Sequence, residues 1–328
     1  MQLAFGRLAF AAIASIPALC AGTTVGASYP ERPVRLLVGF PAGGGADFTA
    51  RLISTELGLK WPHQMVVDNR PGANGNIAAH IAAQAVPDGY TLLLIPFNFA
   101  LSPAITKKLP FDPAADFEAV TLIASAPMVL SANPSLPVTS IQQLVALAKS
   151  RPKTLNYGSG GSGSTSHVAA ELLKSLAKID IVHVPYKGAA PAMTATIAGE
   201  VSLYFGSMPV ILPHMRSGKL RVLGVTTSKR AKAAPDIQTI SESGVPGYEF
   251  ATWYGLVAPK KTPRAVVLSL HEEIRIALGK TSVLERLLAD GAEPIGNHPD
   301  TFQKFLIAEI NKWKALVKGG GLSPEQGD

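Results

Sequence analysis

An α/β fold divided into two lobes is predicted for this 328-residue chain, and three features of the sequence carry that prediction. Short apolar runs with strand character alternate with amphipathic, helix-like runs, the order that builds largely parallel sheets flanked by helices. Two glycine loops, FPAGGGAD at residues 40–47 and NYGSGGSGSTSH at 156–167, each stand where a strand hands over to a helix. Between them lies the extended apolar run TLIASAPMVLSAN, closed by Pro134 and Pro137, which marks a passage from one lobe to the other.

The elements follow in order. Residues 34–38 (VRLLV) form a strand, and the first glycine loop leads from it into a helix reaching about Lys60. A short strand at 65–68 ends in the turn-rich RPGANG, and the alanine-rich stretch 77–85 is helical. Pro87-Asp88-Gly89 turns the chain into TLLLI at 91–95, whose composition is that of a strand buried on both faces, and a third loop follows at 96–100. The second lobe takes a helix at 141–150, the second glycine loop with the helix bearing Val168, Leu172, Leu173 and Leu176, a strand at 179–184, and a loop at 185–188. A helix ending near Gly199, strands at 201–205 and 220–225, and a loop-rich stretch to Glu249 complete it. The strand at 255–258 returns the chain to the first lobe, where two amphipathic helices carry core stripes: Val266, Val267, Leu270, Ile274 and Leu278, then Phe302, Phe305, Leu306, Ile310, Trp313 and Val317. The expected division is therefore 28–126 plus 250–328 for lobe 1 and 127–249 for lobe 2, each with a mixed, mainly parallel sheet, joined by a two-segment hinge. The tail from Gly319 is expected to fray.

Residues 1–27 read as a cleavable targeting segment: Arg7 is its one charge, residues 8–19 are an apolar core too short to span a bilayer, and Val25-Gly26-Ala27 is a small-residue cleavage site. Cys20 offers lipid anchoring as an alternative, although Pro17-Ala18-Leu19 lacks the small residue expected before a lipidated cysteine. Since Cys20 is the only cysteine, the exported chain has no thiol for a disulfide, for catalysis or for metal. The formal net charge of +7 is scattered, with no basic stripe interleaved with aromatics, so nucleic acid is not an expected partner. Seven histidines stand singly without metal-ligand spacing, and neither a metal nor a cofactor is expected.

At a strand-to-helix junction the first-turn amides and the positive end of the helix dipole make an anion site. Gly43, Gly44 and Gly45 present such amides without steric cover, and Asp47 can cap the following helix. The second loop contains GxGxxG at Gly158, Gly160 and Gly163, but Asp180 opens the next strand instead of ending it and no Lys precedes Ser164-Thr165, so neither nucleotide motif is completed. Short hydroxyls at Ser159, Ser162, Ser164 and Thr165 remain as donors, with Ser164 or Thr165 as the helix cap; a flexible linker is the alternative. Tyr186 and Lys187 lie after a strand of lobe 2, where open α/β sheets place ligand contacts, though Lys187 is equally a solvated surface residue. Asn98 orients a polar ligand or is an ordinary turn residue. His167 beside Ser162 invites a hydrolase reading, but no GxSxG elbow is present.

Taken together, YPERPVRLLVGFPAGGGAD, VVDNRPGANGNIAA, PDGYTLLL, FDPAADFEAVTLI, LNYGSGGSGSTSHVAAELL, IVHVPYKGAAPAMT and SGVPGYEFATWYGLVAP resemble, in this order, the Bug family, the extracytoplasmic solute receptors of tripartite tricarboxylate transporters. The resemblance implies a type II periplasmic binding-protein fold, a Venus flytrap, that does no chemistry. A monomer would close on a small carboxylate and deliver it to a permease of one large and one small membrane subunit; presentation to a signalling partner is the alternative. It places ligand contacts on Ala42, Gly43, Gly44, Asp47, Ser159, Gly160, Gly161, Ser162, Ser164 and Thr165, with Tyr186, Lys187 and Gly188 matching a family triplet. Relatives commonly carry an acid where this chain has Gly206-Ser207, which disfavours amino-acid ligands here. Phe97 and Phe99 beside Asn98 favour an apolar or aromatic ligand body.

Overall fold

A computed structural model describes residues 29–289 and 291–319, so the targeting segment, Cys20 and the tail from residue 320 lie outside the described residues. The chain opens with β1 (Val34–Val38), α1 (Gly45–Gly58), β2 (Met65–Asn69), a single 3-10 turn at Ala73–Gly75, α2 (Asn76–Ala83), β3 (Thr91–Pro96) and α3 (Phe97–Ile105). β1 is buried among apolar neighbours and pairs in parallel with both β2 and β3.

β4 (Phe117–Ala132) is sixteen residues long and serves both halves of the molecule. After it come α4 (Ile141–Ser150), β5 (Asn156–Ser159), α5 (Thr165–Ala177), β6 (Val182–Pro185), α6 (Ala189–Ala198), β7 (Leu203–Ser207), α7 (Met208–Arg216) and β8 (Arg221–Val225). The chain then runs back through β9 (Ala251–Pro259), α8 (Arg264–Leu278), α9 (Thr281–Ala289), β10 (Glu293–Pro294) and α10 (Pro299–Lys318). The strand order is β2-β1-β3-β9-β4-β7-β5-β6, with β8 and β10 also paired to β4. Phe117 to Pro127 of β4 lie against β9, whereas Met128 to Ala132 lie against β7 and β8. The parallel pairs belong to the strand-helix-strand units, as the sequence reading expects, and the antiparallel pairs all involve β4 or β9, the two strands that pass between the halves.

The two passages are tied to each other. The Met128 amide donates to the hydroxyl of fully buried Thr226 at 2.8 Å, and the Phe250 amide donates to the Thr226 carbonyl at 2.8 Å. α8 closes one face of the first sheet with Val267, Leu270 and Ile274, while α10 brings Phe302 and Trp313, both fully buried, against β4, β9 and α3.

Four elements depart from the sequence reading, two of them, α7 and β10, by falling where no element was assigned. Residues 97–105, expected to open as a loop, form α3; its residues are buried on several sides, so no amphipathic stripe announces the helix. α9 likewise falls where no element was assigned, because exposed Leu284 and Leu288 blur the stripe formed by buried Val283 and Leu287.

Candidate functional site

A cavity of about 340 Å³ opens at the C-terminal ends of β1 and β3 and beside β9. Three helices begin at its wall. Gly44, Gly45 and Ala46 are the N-cap and first turn of α1, Pro96, Phe97 and Asn98 those of α3, and Thr165 is the first residue of α5. The first amides of a helix have no intrahelical acceptor and carry the positive end of its dipole, so the three starts bias the cavity toward an anion. Neither α1 nor α3 has a side-chain cap occupying those amides, whereas the Ser164 hydroxyl caps α5 by accepting from the His167 amide. The rest of the lining is apolar or aromatic: Phe40, Pro41, Ala42, Trp253 and Tyr254, with Thr252 adding a hydroxyl. No charged side chain is among the lining residues.

Of the residues expected to contact ligand, Ala42, Gly44, Asn98 and Thr165 line this cavity. Gly43 and Asp47 stand beside it and have a different task. Asp47 is buried in the first turn of α1, where one carboxylate oxygen accepts from the Gly43 amide at 2.9 Å and from Arg51 Nε at 2.9 Å, and the other accepts from Asn69 Nδ2 at 3.0 Å. The N-cap itself is Gly44. The Arg51 hydrogen bond, helped by the Gly43 amide and Asn69 and opposed by burial, holds the Asp47 carboxyl down to about 2. Asp47 therefore braces the loop from behind and takes up the Gly43 amide. Its contribution is present above the ordinary carboxyl range and is lost as pH falls through about 2. Asp47→Asn keeps the volume but gives up the charge-assisted bonds, and is expected to cost about 1.5–3 kcal/mol of stability, readable as a lower Tm.

The second loop is also knotted inward. The Gly160 amide donates to Ser166 Oγ at 3.1 Å, Gly161 to Ser159 Oγ at 3.1 Å, Gly163 to His167 Nδ1 at 3.0 Å and Ser164 to the Gly161 carbonyl at 3.2 Å. These glycines do not present bare amides to the cavity; they shape the entry to α5, and Thr165 is the part of the segment that lines it. Ser159 is fully buried and Ser162 is exposed. His167 Nδ1 is engaged by the Gly163 amide, which leaves no Ser162–His167 pair. Tyr186 and Lys187 sit next to this loop, since the Tyr186 amide donates to the Ser159 carbonyl at 2.9 Å and a Cβ on Gly160 would lie 3.3 Å from Gly188. Neither lines the cavity, and Lys187 is exposed.

Gly206 is buried in β7, where a Cβ would stand 2.7 Å from the Tyr204 ring and 2.8 Å from Ile211. An acid there has no room, so the glycine is a packing requirement of this chain. Of the flanking phenylalanines, Phe97 lines the cavity, while Phe99 turns into the core against Phe111 and Phe117, with ring centroids 5.8 and 5.3 Å away.

The sequence reading missed β9 as a wall. ATWYG was used as a family motif, and its aromatic pair is the signal that would have found it: Trp253 and Tyr254 alternate across the returning strand, and both line the cavity. Gly45 lies so close to the Tyr254 hydroxyl that a Cβ there would collide with it. Among the described residues no group of histidine, cysteine or acidic side chains is placed to hold a metal, and no helix is long and apolar enough to cross a membrane.

A two-lobed α/β clamshell with an uncharged, aromatic cavity at helix starts defines a solute-binding receptor, and comparison with known proteins agrees. Residues 49–322 match the model of the TctC family, described as the tripartite tricarboxylate transporter family receptor, and the chain belongs to that family. An R. palustris protein solved with adipate is 39% identical, with 90% of this chain and 100% of that one covered and a TM-score of 0.75. The periplasmic binding protein BugD is 32% identical over 90% of this chain and 100% of its own, with a TM-score of 0.72. MatC from Rhodopseudomonas palustris, solved with bound malate, is 32% identical over 88% of this chain and 100% of its own, with a TM-score of 0.71. The fold is that of periplasmic binding proteins, and the family is one of receptors, not enzymes.

Proposed function

We propose that this protein captures a small organic carboxylate with an apolar or aromatic body between its lobes and hands it to a tripartite membrane permease. The observation that carries this reading is the convergence of three helix starts on a cavity with no charged lining residue. The helix starts favour a carboxylate without a cationic side chain, and Phe40, Phe97, Trp253 and Tyr254 favour an apolar carbon skeleton over a short hydroxylated one. Adipate and malate in the two solved relatives support the carboxylate class. The lobes divide at 126/127 and 249/250, next to the junctions of β4 and β9 described above. Ligand bridging α1 and α3 on one side and α5 on the other favours the closed form by its differential affinity. The receptor works as a monomer in the periplasm after cleavage near Ala27, and the permease of one large and one small subunit reads the closed form.

Thermal-shift measurements with adipate, malate, benzoate and the uncharged benzamide test the proposal. A carboxylate present at about a hundred times its Kd adds ~2.7 kcal/mol and raises Tm. Adipate or benzoate is expected to do so more strongly than malate, and benzamide not at all. Equal shifts with benzamide and benzoate, or none with any acid, would overturn the reading.

A further inference from the structure

Behind the second glycine loop lies a stack of rings that the binding cavity does not use. His167, in the first turn of α5, and His183, on β6, lie face to face with centroids 4.2 Å apart and planes 17° from parallel. Tyr157 of β5 flanks the pair, its ring centroid 5.0 Å from that of His183 and 6.5 Å from that of His167 and its plane within 16° of both. Both imidazoles are wired to the loop. His167 Nδ1 accepts from the Gly163 amide at 3.0 Å, and His183 Nε2 meets Ser159 Oγ at 2.5 Å, the same hydroxyl that accepts from the Gly161 amide at 3.1 Å. A backbone N–H can only donate, so His167 must be neutral with its proton on Nε2. The Ser164 hydroxyl then closes the turn by accepting from the His167 amide.

We propose that His167 and His183 are positioning residues for the 159–165 loop: as neutral stacked rings they hold the Gly161 and Gly163 amides and so aim the α5 start at the ligand. This rests on the proposed function, in which Thr165 takes part in carboxylate binding. Protonating His167 turns its acceptor into a donor facing a donor, and two cationic rings at this spacing repel each other. The charged and titratable groups bearing on the pair are Lys174 and Glu171 of α5 and the Tyr157 hydroxyl, which donates to Glu171 at 2.6 Å while Lys174 pairs with the same oxygen at 2.7 Å. Burial first, then Lys174, lowers His167 to about 4; burial first, then His167 and Lys174 against the opposing pull of Glu171, lowers His183 to about 4. Histidine in the unfolded chain titrates near 6.5, so between that value and about 4 the unfolded state binds more protons. The loop's stabilisation is thus complete above 6.5 and is lost as pH falls toward 4.

The test combines imidazole and amide NMR of the intact protein with adipate titration at neutral pH. In the wild type His167 is expected as the neutral Nε2–H tautomer, and the Gly161 and Gly163 amides are expected to shift together with a midpoint near 4. His167→Asn supplies a non-titrating oxygen in place of Nδ1: Gly163 should stay protected from hydrogen exchange, its acid transition should disappear, and adipate affinity should hold. His167→Phe keeps the ring without the acceptor, and Gly163 protection and adipate affinity should each fall about tenfold. An Nδ1–H or charged His167 at neutral pH, or unchanged Gly163 protection in His167→Phe, overturns the proposal. The tautomer measurement needs no variant, so it decides even if His167→Phe does not fold. If wild type fails to bind adipate while the coupled amide transition is present, the carboxylate reading fails for adipate and the loop assignment stands.

Discussion

Gly44→Leu is expected to lower carboxylate affinity by about a hundredfold or more, the equivalent of ~2.7 kcal/mol, while leaving Tm nearly unchanged. The backbone at Gly44 has φ −85° and ψ 170°, extended geometry open to any residue, and a Cβ there meets only the Pro41 carbonyl, at 3.8 Å. The substitution therefore introduces no strain. A leucine side chain at this N-cap occupies space beside the first amides of α1 and displaces the group that those amides receive. Calorimetric titration with the carboxylate found by thermal shift, alongside the melting curve, separates the two effects. Wild-type affinity in this variant would remove the α1 start from the binding site.

The second large effect is expected at Trp253. Its indole is 2% exposed, lies edge-on to Phe302 and Phe305 with centroids 6.3 and 5.5 Å away, and donates from Nε1 to Glu309 at 3.2 Å. Trp253→Ala leaves a void between β9 and α10 and deprives Glu309 of a donor, a combination that costs about 3–5 kcal/mol. Denaturant unfolding should report that loss with a lowered midpoint. Because the same ring forms part of the cavity wall, ligand stabilisation should shrink as well, whereas Trp253→Phe is expected to restore most of the stability but not the Glu309 bond.

The strand-loop-helix units were legible in the sequence because their strands are continuous apolar runs and their helices show a clear stripe, as for β1, α5 and α10. α3 was not, since a nine-residue helix buried on several sides has no stripe to read. Glycine composition placed both loops at strand-to-helix junctions, where the structure has them, but not the direction of their amides. That direction depends on Asp47, Ser159, Ser166 and His167 folding back onto the backbone, and hydrogen bonds of this kind between near neighbours leave no periodic trace. Gly206 meets a related limit: a glycine reads as a missing side chain, and only the positions of Tyr204 and Ile211 reveal how little room a side chain has there. The β9 wall comes from a strand that returns more than a hundred residues after the first half was interrupted, a contact fixed by topology and invisible to any local window.

That interruption also orders assembly in time. β9 lies between β3 and β4, so the first half of the molecule has no complete sheet until residues 251–259 exist. By then β5, β6, β7 and β8 have all been made, and the second half holds every strand that it needs. A chain threading out from its N-terminus can therefore finish its later half before its earlier one, and the first segment must wait with a sheet edge unpaired. The cavity, built on β9, therefore cannot take shape until every strand of the second half has already been made.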